Sequence, residues 1–236
     1  MSTDELSHPL VLLREGQIEI EGRMPWSSNG TYLVTLEHEG VGWRAIYKPE
    51  RGERPLWDFP TGLYRREVAT YELSRALEFG VVPPTVVRDG PLGVGSVQWF
   101  VDADFSEHYF TIYEQRPELH DQLRAIAVLD LLANNTDRKG GHCLLGRDGR
   151  VHAIDNGLCF AAEPKLRTVI WEFGGQEIPE ALMTAVERLA ESVPLSVAAL
   201  LDDDEVEMVM TRAKRLVRRP VFPIDETGRR YPWPLV

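Results

Sequence analysis

The sequence has only two cysteines, Cys143 and Cys159, in 236 residues. That is too few for a disulfide-stapled scaffold, and without CxxC spacing they make no zinc site, so both read as reduced, buried, small apolar groups. Positive charge is scarce as well: 26 Lys and Arg against 37 Asp and Glu leave a formal net charge of −11. A nucleic-acid binder needs a basic stripe to displace counterions from phosphates, and an anionic membrane surface would repel this chain, so neither partner is expected. No apolar run approaches the ~18 residues of a membrane span. The stretch MSTDELSHPL has neither the basic nor the apolar segment of a secretory signal, so a cytoplasmic protein without membrane insertion is expected. Internal repeats and low-complexity segments are absent. What is there, 43% hydrophobic and 27% charged residues, is the composition of a globular chain able to bury a core.

Residues 17–48 alternate in a strand-like way around turn residues. Segments 17–22, 31–36 and 43–48 predict an antiparallel meander, with a small-residue turn at Trp26-Ser27-Ser28-Asn29-Gly30 and a breaker at Glu39-Gly40. Over 61–79 the period becomes helical, and Gly80 with Pro83-Pro84 stops the helix. Segments 85–87 and 95–101 complete five strands. Asp102-Ala103-Asp104 then breaks the pattern, dividing the chain into a strand-rich part, 1–101, and a helical part, 102–236. In the second part Pro117 opens a helix that Asn134 and Asn135 close, a hairpin follows over 143–145 and 151–154, and amphipathic runs over 180–193 and 205–218 predict further helices. The expected fold is α+β and two-lobed, an antiparallel five-stranded N-lobe with one helix and a mainly helical C-lobe, with a ligand between them.

The densest cluster of reactive side chains is Asp130-Leu-Leu-Ala-Asn-Asn-Thr-Asp137-Arg138-Lys139-Gly140-Gly141-His142, followed after the hairpin by Ile154-Asp155-Asn156-Gly157. A carboxylate in a loop at a helix end can accept a hydroxyl proton while the flanking Arg and Lys hold a transferring phosphoryl group. A second carboxylate at a strand end can hold a divalent cation against an anionic ligand. In the strand-rich part Lys48 ends an apolar strand, placed to reach α- and β-phosphates. Glu67 on the following helix is its expected partner, with Glu72 as a second acid on the same helix. The turn Ser27-Ser28-Asn29-Gly30-Thr31 offers backbone N–H groups and hydroxyls to phosphate oxygens. Gly93-Val-Gly95-Ser-Val-Gln98 lacks a third glycine and opens a strand, so no dinucleotide site is expected there.

Five strings in order carry a resemblance: Trp26-Ser27-Ser28-Asn29-Gly30-Thr31-Tyr32-Leu33, Ala45-Ile46-Tyr47-Lys48-Pro49, Arg66-Glu67-Val68-Ala69-Thr70-Tyr71, Asn135-Thr136-Asp137-Arg138 and Ala153-Ile154-Asp155-Asn156-Gly157. Together they resemble the phosphatidylinositol 3-/4-kinase catalytic superfamily, in particular type II phosphatidylinositol 4-kinases and small kinase-like proteins of actinobacteria. The resemblance implies ATP and Mg2+ or Mn2+ as cofactors. It implies Lys48 on the α- and β-phosphates, Glu67 orienting Lys48, Asp137 as the catalytic aspartate and Asp155 as the metal-binding aspartate. Gln98, Trp99, Phe100 and Val101 would form the hinge, with adenine on its backbone and stacked against apolar neighbours such as Ile46. Asp130 stands where the family often carries an acid.

One position departs from the pattern: His142 occupies the place of a second metal ligand, usually Asn. Neutral imidazole favours transition metals over magnesium, so either His142 ligates and shifts preference toward manganese, or Asp155 alone anchors the metal. Lys139 has the spacing at which protein kinases carry a lysine for the transferring phosphate. The expected activity is transfer of the γ-phosphoryl group of ATP to a hydroxyl on a protein, small molecule or inositol lipid. A nucleotide-binding pseudokinase and an AMP-transferring enzyme are the alternatives. Acceptor and oligomeric state are not readable from the residues.

Overall fold

The computed structural model describes residues 3–25, 27 and 29–236. In chain order the elements are α1 (Thr3–Glu15), β1 (Gln17–Arg23), β2 (Tyr32–His38), β3 (Val41–Pro49), α2 (Leu63–Ala76), β4 (Thr85–Gly90), β5 (Gly93–Trp99), α3 (Tyr109–Gln115), α4 (His120–Ala133), β6 (Cys143–Leu145), β7 (Val151–Ala153), α5 (Glu180–Glu191), α6 (Leu195–Ala198) and α7 (Asp203–Arg218). The first five strands form one antiparallel sheet in the order β1-β2-β3-β5-β4. β2 and β3 are joined by Glu39-Gly40, both at positive φ, 51° and 78°, the two-residue turn whose twist matches its strands.

Strand alternation decides which side chains reach the site. Val34, Leu36, Ala45, Tyr47, Val86 and Val97 cluster with Leu12 and Leu13 of α1. With a period of two, Ile46 and Lys48 therefore lie on the other face, where Lys48 meets α2. The sheet side thus carries two helices rather than one. α1 escapes the pattern because Pro9 lies inside it, a residue that ordinarily ends a helix.

α2 is buried on nearly every side, with Leu63, Tyr64, Arg66, Glu67, Val68, Ala69, Thr70, Tyr71, Leu73 and Ser74 all inaccessible. Ala69, Leu73 and Leu77 join the main core, which α4 (Leu123, Ile126, Leu129, Leu132), α5 (Val186, Leu189) and α7 (Val209, Ala213, Leu216) complete. A buried ion pair between Arg66 and Glu205 ties α2 to α7. Glu205 also closes the N-terminal capping box of α7, accepting the Asp202 N–H at 3.1 Å. Cys143 and Cys159 are free and buried, and burial pushes both thiols up to about 12.

Candidate active site

Lys48 projects from the end of β3 and its Nζ donates to Glu67 Oε1 of α2 and, at 2.7 Å, to Asp155 Oδ1. Glu72 pairs with Arg75 instead, which resolves the choice between the two acids. The second oxygen of Glu67 accepts the Asn156 N–H at 2.9 Å. A buried carboxylate is tolerable only when so paired. Gly157 makes the approach possible, since a β-carbon there would stand 3.3 Å from Glu67 Oε1. Asp155 itself sits at φ 56°, in the left-handed region that Asp tolerates better than most residues.

Opposite this group, α4 ends at Asn134 in a left-handed conformation, φ 51° and ψ 49°, with its N–H on Asp130 O. Asn135 then donates through Nδ2 to Asp130 Oδ1 at 3.0 Å and accepts the Asp137 N–H at 2.9 Å, which fixes the Asp137 loop. Lys139 Nζ lies 3.1 Å from Asp137 Oδ2. Arg138 is not the phosphate clamp its neighbours suggest: it is fully buried. Its guanidinium donates to both oxygens of Asp130 at 3.0–3.2 Å, to Ile154 O at 2.7 Å and to Asn156 Oδ1 at 2.6 Å. It bolts the Asp137 loop to the Asp155 loop. Sequence reasoning saw its charge and missed its burial, although the acid eight residues earlier, Asp130, was the available signal.

The charges tune one another. Lys48 beside Asp155 holds that carboxyl far below the usual range, against the opposing effect of burial. Burial disfavours the Lys48 ammonium, but Asp155 and Glu67 outweigh it and raise its pKa above that of an ordinary lysine. Burial raises Asp137, and Lys139 opposes it only in part. Burial lowers His142 to about 4, with Asp155 opposing and Arg138, Lys139 and Lys48 adding to the shift.

His142 is therefore neutral at pH 7. Its Nδ1 faces the Lys139 N–H at 3.4 Å and its Nε2 faces Asp155 Oδ2, also at 3.4 Å. A backbone amide only donates, so the ring proton belongs on Nε2, where it points at Asp155. No cluster of three or more His, Cys, Asp or Glu able to hold a metal exists among the described residues. Asp155 alone nonetheless fits a magnesium-type ion, which usually takes one or two carboxylates and completes its shell with phosphate oxygens and water, whereas the His142 imidazole suits a transition metal. His142 would have to move its proton to Nδ1 to join.

The described residues of the expected phosphate-binding turn, 27 and 29–31, have their polar groups engaged within the protein. Gly30 N–H donates to Gly52 O at 2.7 Å, Thr31 N–H to Asn29 O at 2.9 Å, and the Ser27 and Thr31 hydroxyls pair at 2.7 Å. Asn29 Oδ1 accepts the Arg54 N–H at 3.0 Å. Ser28 lies outside the described residues. Along the expected hinge, Gln98 Nε2 donates to Thr85 Oγ1 at 2.9 Å, Trp99 N–H to Pro84 O at 2.8 Å, and Phe100 N–H to Arg44 O at 3.2 Å. The Trp99 ring stacks on Trp43 at 5.2 Å. Among the described residues Val101 has no backbone partner. A cavity of about 470 Å³ beside the β3–α2 connection contains none of the expected site residues.

The model of the family described as phosphatidylinositol 3- and 4-kinase matches residues 85–197. The chain is 36% identical over 260 aligned positions to Protein Rv2133c of Mycobacterium tuberculosis, covering 94% of each. The chain belongs to the phosphatidylinositol 3-/4-kinase-like superfamily. Solved structures agree on the fold: the Helicobacter pylori proinflammatory kinase CtkA (11% identity, 89% of this chain and 94% of that one, TM-score 0.54), and hydra Fam20 with sugar (16%, 92% and 88%, 0.58). The phosphatidylinositol 3-/4-kinase-like match includes Asp137, His142 and Asp155 but begins after Lys48 and Glu67. For those two, position rests on the contacts above.

Proposed function

We propose that this protein is an ATP- and metal-dependent phosphotransferase that moves the γ-phosphoryl group to a hydroxyl of a protein, small molecule or inositol lipid. The observation that carries the reading is the meeting of Lys48, Glu67 and Asp155, drawn from three separate elements into one hydrogen-bonded group facing Asp137 and Lys139. Phosphate oxygens take the place of Asp155 as a partner of Lys48, which frees the carboxylate. Asp155, with His142 in its other tautomer, would hold the Mg2+ or Mn2+ that neutralises phosphate charge. The acceptor oxygen bonds to the γ-phosphorus, the bond from that phosphorus to the bridging β–γ oxygen breaks, and ADP leaves. The acceptor proton passes to the Asp137 carboxylate, and Lys139 offsets the charge on the transferring group. Val101 is the hinge residue with free backbone groups for adenine, and Ile46 shares the sheet face of Lys48.

The test is ADP release and product mass in the wild type and in Asp137→Ala. Phosphate added to an acceptor by the wild type, with a loss of roughly 100-fold or more in the variant, is the expected result; adenylate in place of phosphate overturns it. The Nε2–H of His142 aimed at Asp155 favours a second reading, a nucleotide-binding module without catalysis. A thermal shift with ATP and either metal, together with equal background turnover in both proteins, would select that one.

A further inference from the structure

The cavity beside the β3–α2 connection, about 470 Å³, has the size of a small-molecule site. One wall comes from residues 50–63, the other from Leu92 of the β4–β5 turn with Gly93 and Val94 of β5. The least exposed of the lining side chains are Phe59 and Leu63, at 8% and 6%, which pack with Ala161. Apolar surface also lies open there: Leu56 is 39% exposed and the next residue, Trp57, 95%. Exposed apolar groups gathered beside a polar-rimmed hollow are a common mark of a ligand site.

Four charged residues line the cavity, Glu50, Arg51, Glu53 and Arg54, and acids and bases differ in what they already hold. Glu53 gives one oxygen to the Gly62 N–H and the other to the Tyr64 N–H, each at 2.9 Å, which satisfies amides at the start of α2. Glu50 shares the field of the Arg65 cation. The Arg51 and Arg54 guanidinium groups make no hydrogen bond or ion pair among the described residues, and Arg54 bonds only through its backbone N–H, to Asn29 Oδ1. With 37 acidic residues against 26 Lys and Arg, this is not for want of carboxylates in the chain. Arg51 lies against Gly93, where a β-carbon would stand 3.8 Å from its Nε and 4.0 Å from its Nη2. Gly93 sits at φ 96°, a conformation in which a side chain would be strained, so that wall stays open to the guanidinium.

We propose that this cavity binds a small amphipathic anion, its carboxylate or phosphate held by Arg51 and Arg54 and its apolar body lodged among Leu56, Phe59, Leu92 and Val94. A guanidinium matches either head group through paired N–H donors, and the apolar lining takes the remainder of the molecule out of water. None of these residues belongs to the group formed by Lys48, Glu67, Asp137 and Asp155, so the site stands independently of phosphotransfer. An occupant braces the connection that already holds the Gly30 N–H through Gly52 O and the start of α2 through Glu53.

The probe is 1-anilinonaphthalene-8-sulfonate, itself an apolar body with one anionic group, titrated into the full chain and followed by its fluorescence. Saturable binding is expected, reversed by decanoate and by decyl phosphate but not by decanol. Whichever of the two anions displaces the probe at the lower concentration identifies the head group. Arg51→Gln/Arg54→Gln changes only exposed side chains, and it is expected to weaken the probe and both anions roughly 10-fold or more while the melting temperature of the free protein holds. Leu56→Glu keeps both guanidinium groups but sets a carboxylate in the cavity wall, and it is expected to weaken all three as well. Absence of saturable binding, displacement by decanol equal to that by the anions, or unchanged affinity in the folded arginine double variant overturns the site. ATP turnover is not the readout, so a protein without phosphotransfer activity is tested equally well.

Discussion

Replacing Arg138 by Met removes a guanidinium that is 0% exposed and keeps most of its aliphatic stem. Asp130, itself 2% exposed, would then retain only Asn135 Nδ2 at 3.0 Å and the Thr168 hydroxyl at 3.3 Å. An uncompensated buried carboxylate costs ~3–5 kcal/mol, a large part of the ~5–15 kcal/mol that holds a typical domain together. Asp130→Asn alone strands the guanidinium instead, at a similar cost. The double variant removes both charges and keeps an amide oxygen for Asn135. Its remaining penalty is the loss of the bonds to Ile154 O and Asn156 Oδ1, about 1 kcal/mol each. The double variant is therefore expected to be more stable than either single one, with a coupling near 3 kcal/mol or above. Urea unfolding followed by the fluorescence of the six tryptophans reads all four corners of the cycle. Should Arg138→Met lose less than ~1 kcal/mol, or the double variant lose the sum of the singles, the bolt assigned to this pair is wrong.

Glu67→Gln keeps an oxygen for the Asn156 N–H but loses the charge facing Lys48, so ATP turnover is expected to drop roughly 10-fold with little change in stability. Glu67→Ala also strands that amide, and a further loss of ~1–3 kcal/mol in urea is expected. Cys143 and Cys159, with thiols pushed by burial up to about 12, are expected to resist dithionitrobenzoate at pH 8 in the native protein and to react at once in urea. Fast native labelling at either site contradicts the packing. Burial depresses the pKa of His152 despite Asp148 at 3.0 Å, so below its unfolded pKa near 6.5 the unfolded chain binds the extra proton first. Stability is expected to fall from pH 7 to pH 5, and His152→Gln should flatten that slope in paired denaturation curves.

The strands were legible because each is half buried, and half burial writes a period of two into the residues. The five-stranded sheet and the hairpin of β6 and β7 accordingly fall close to their expected places. α1 was not legible, because an internal Pro9 hides a helix whose formation is secured by Leu12 and Leu13 packing on the sheet. The groups drawn together by the catalytic loop were legible from order and spacing, with Lys48, Glu67, Asp137 and Asp155 each on its expected element. What the residues could not disclose was depth. Arg138 and Lys139 are adjacent cations in the string, yet one is sealed inside and the other reaches Asp137. Nor could spacing disclose that Gly30 donates to Gly52, a long-range backbone contact that turns the expected phosphate-binding turn back on the protein.

Exposure separates the parts of the site by task. The groups that hold it together are sealed: Arg138 and Asn156 at 0% and Glu67 at 3%. The groups that phosphate chemistry would use are open, with side-chain exposures of 52% for Asp155, 27% for Asp137, 22% for Lys139 and 21% for Lys48. A cluster serving stability alone would gain by replacing its ion pairs with apolar groups. Asn156 is where the two ties meet, giving its side-chain oxygen to Arg138 and its N–H to Glu67. Through that one residue the Asp137 loop, the Asp155 loop and α2 are hydrogen-bonded into one frame, which Lys48 of β3 joins through Glu67. Such preorganisation is the condition under which fixed charges lower a barrier, and in the proposed reaction it would be obtained from residues that never touch the reacting atoms.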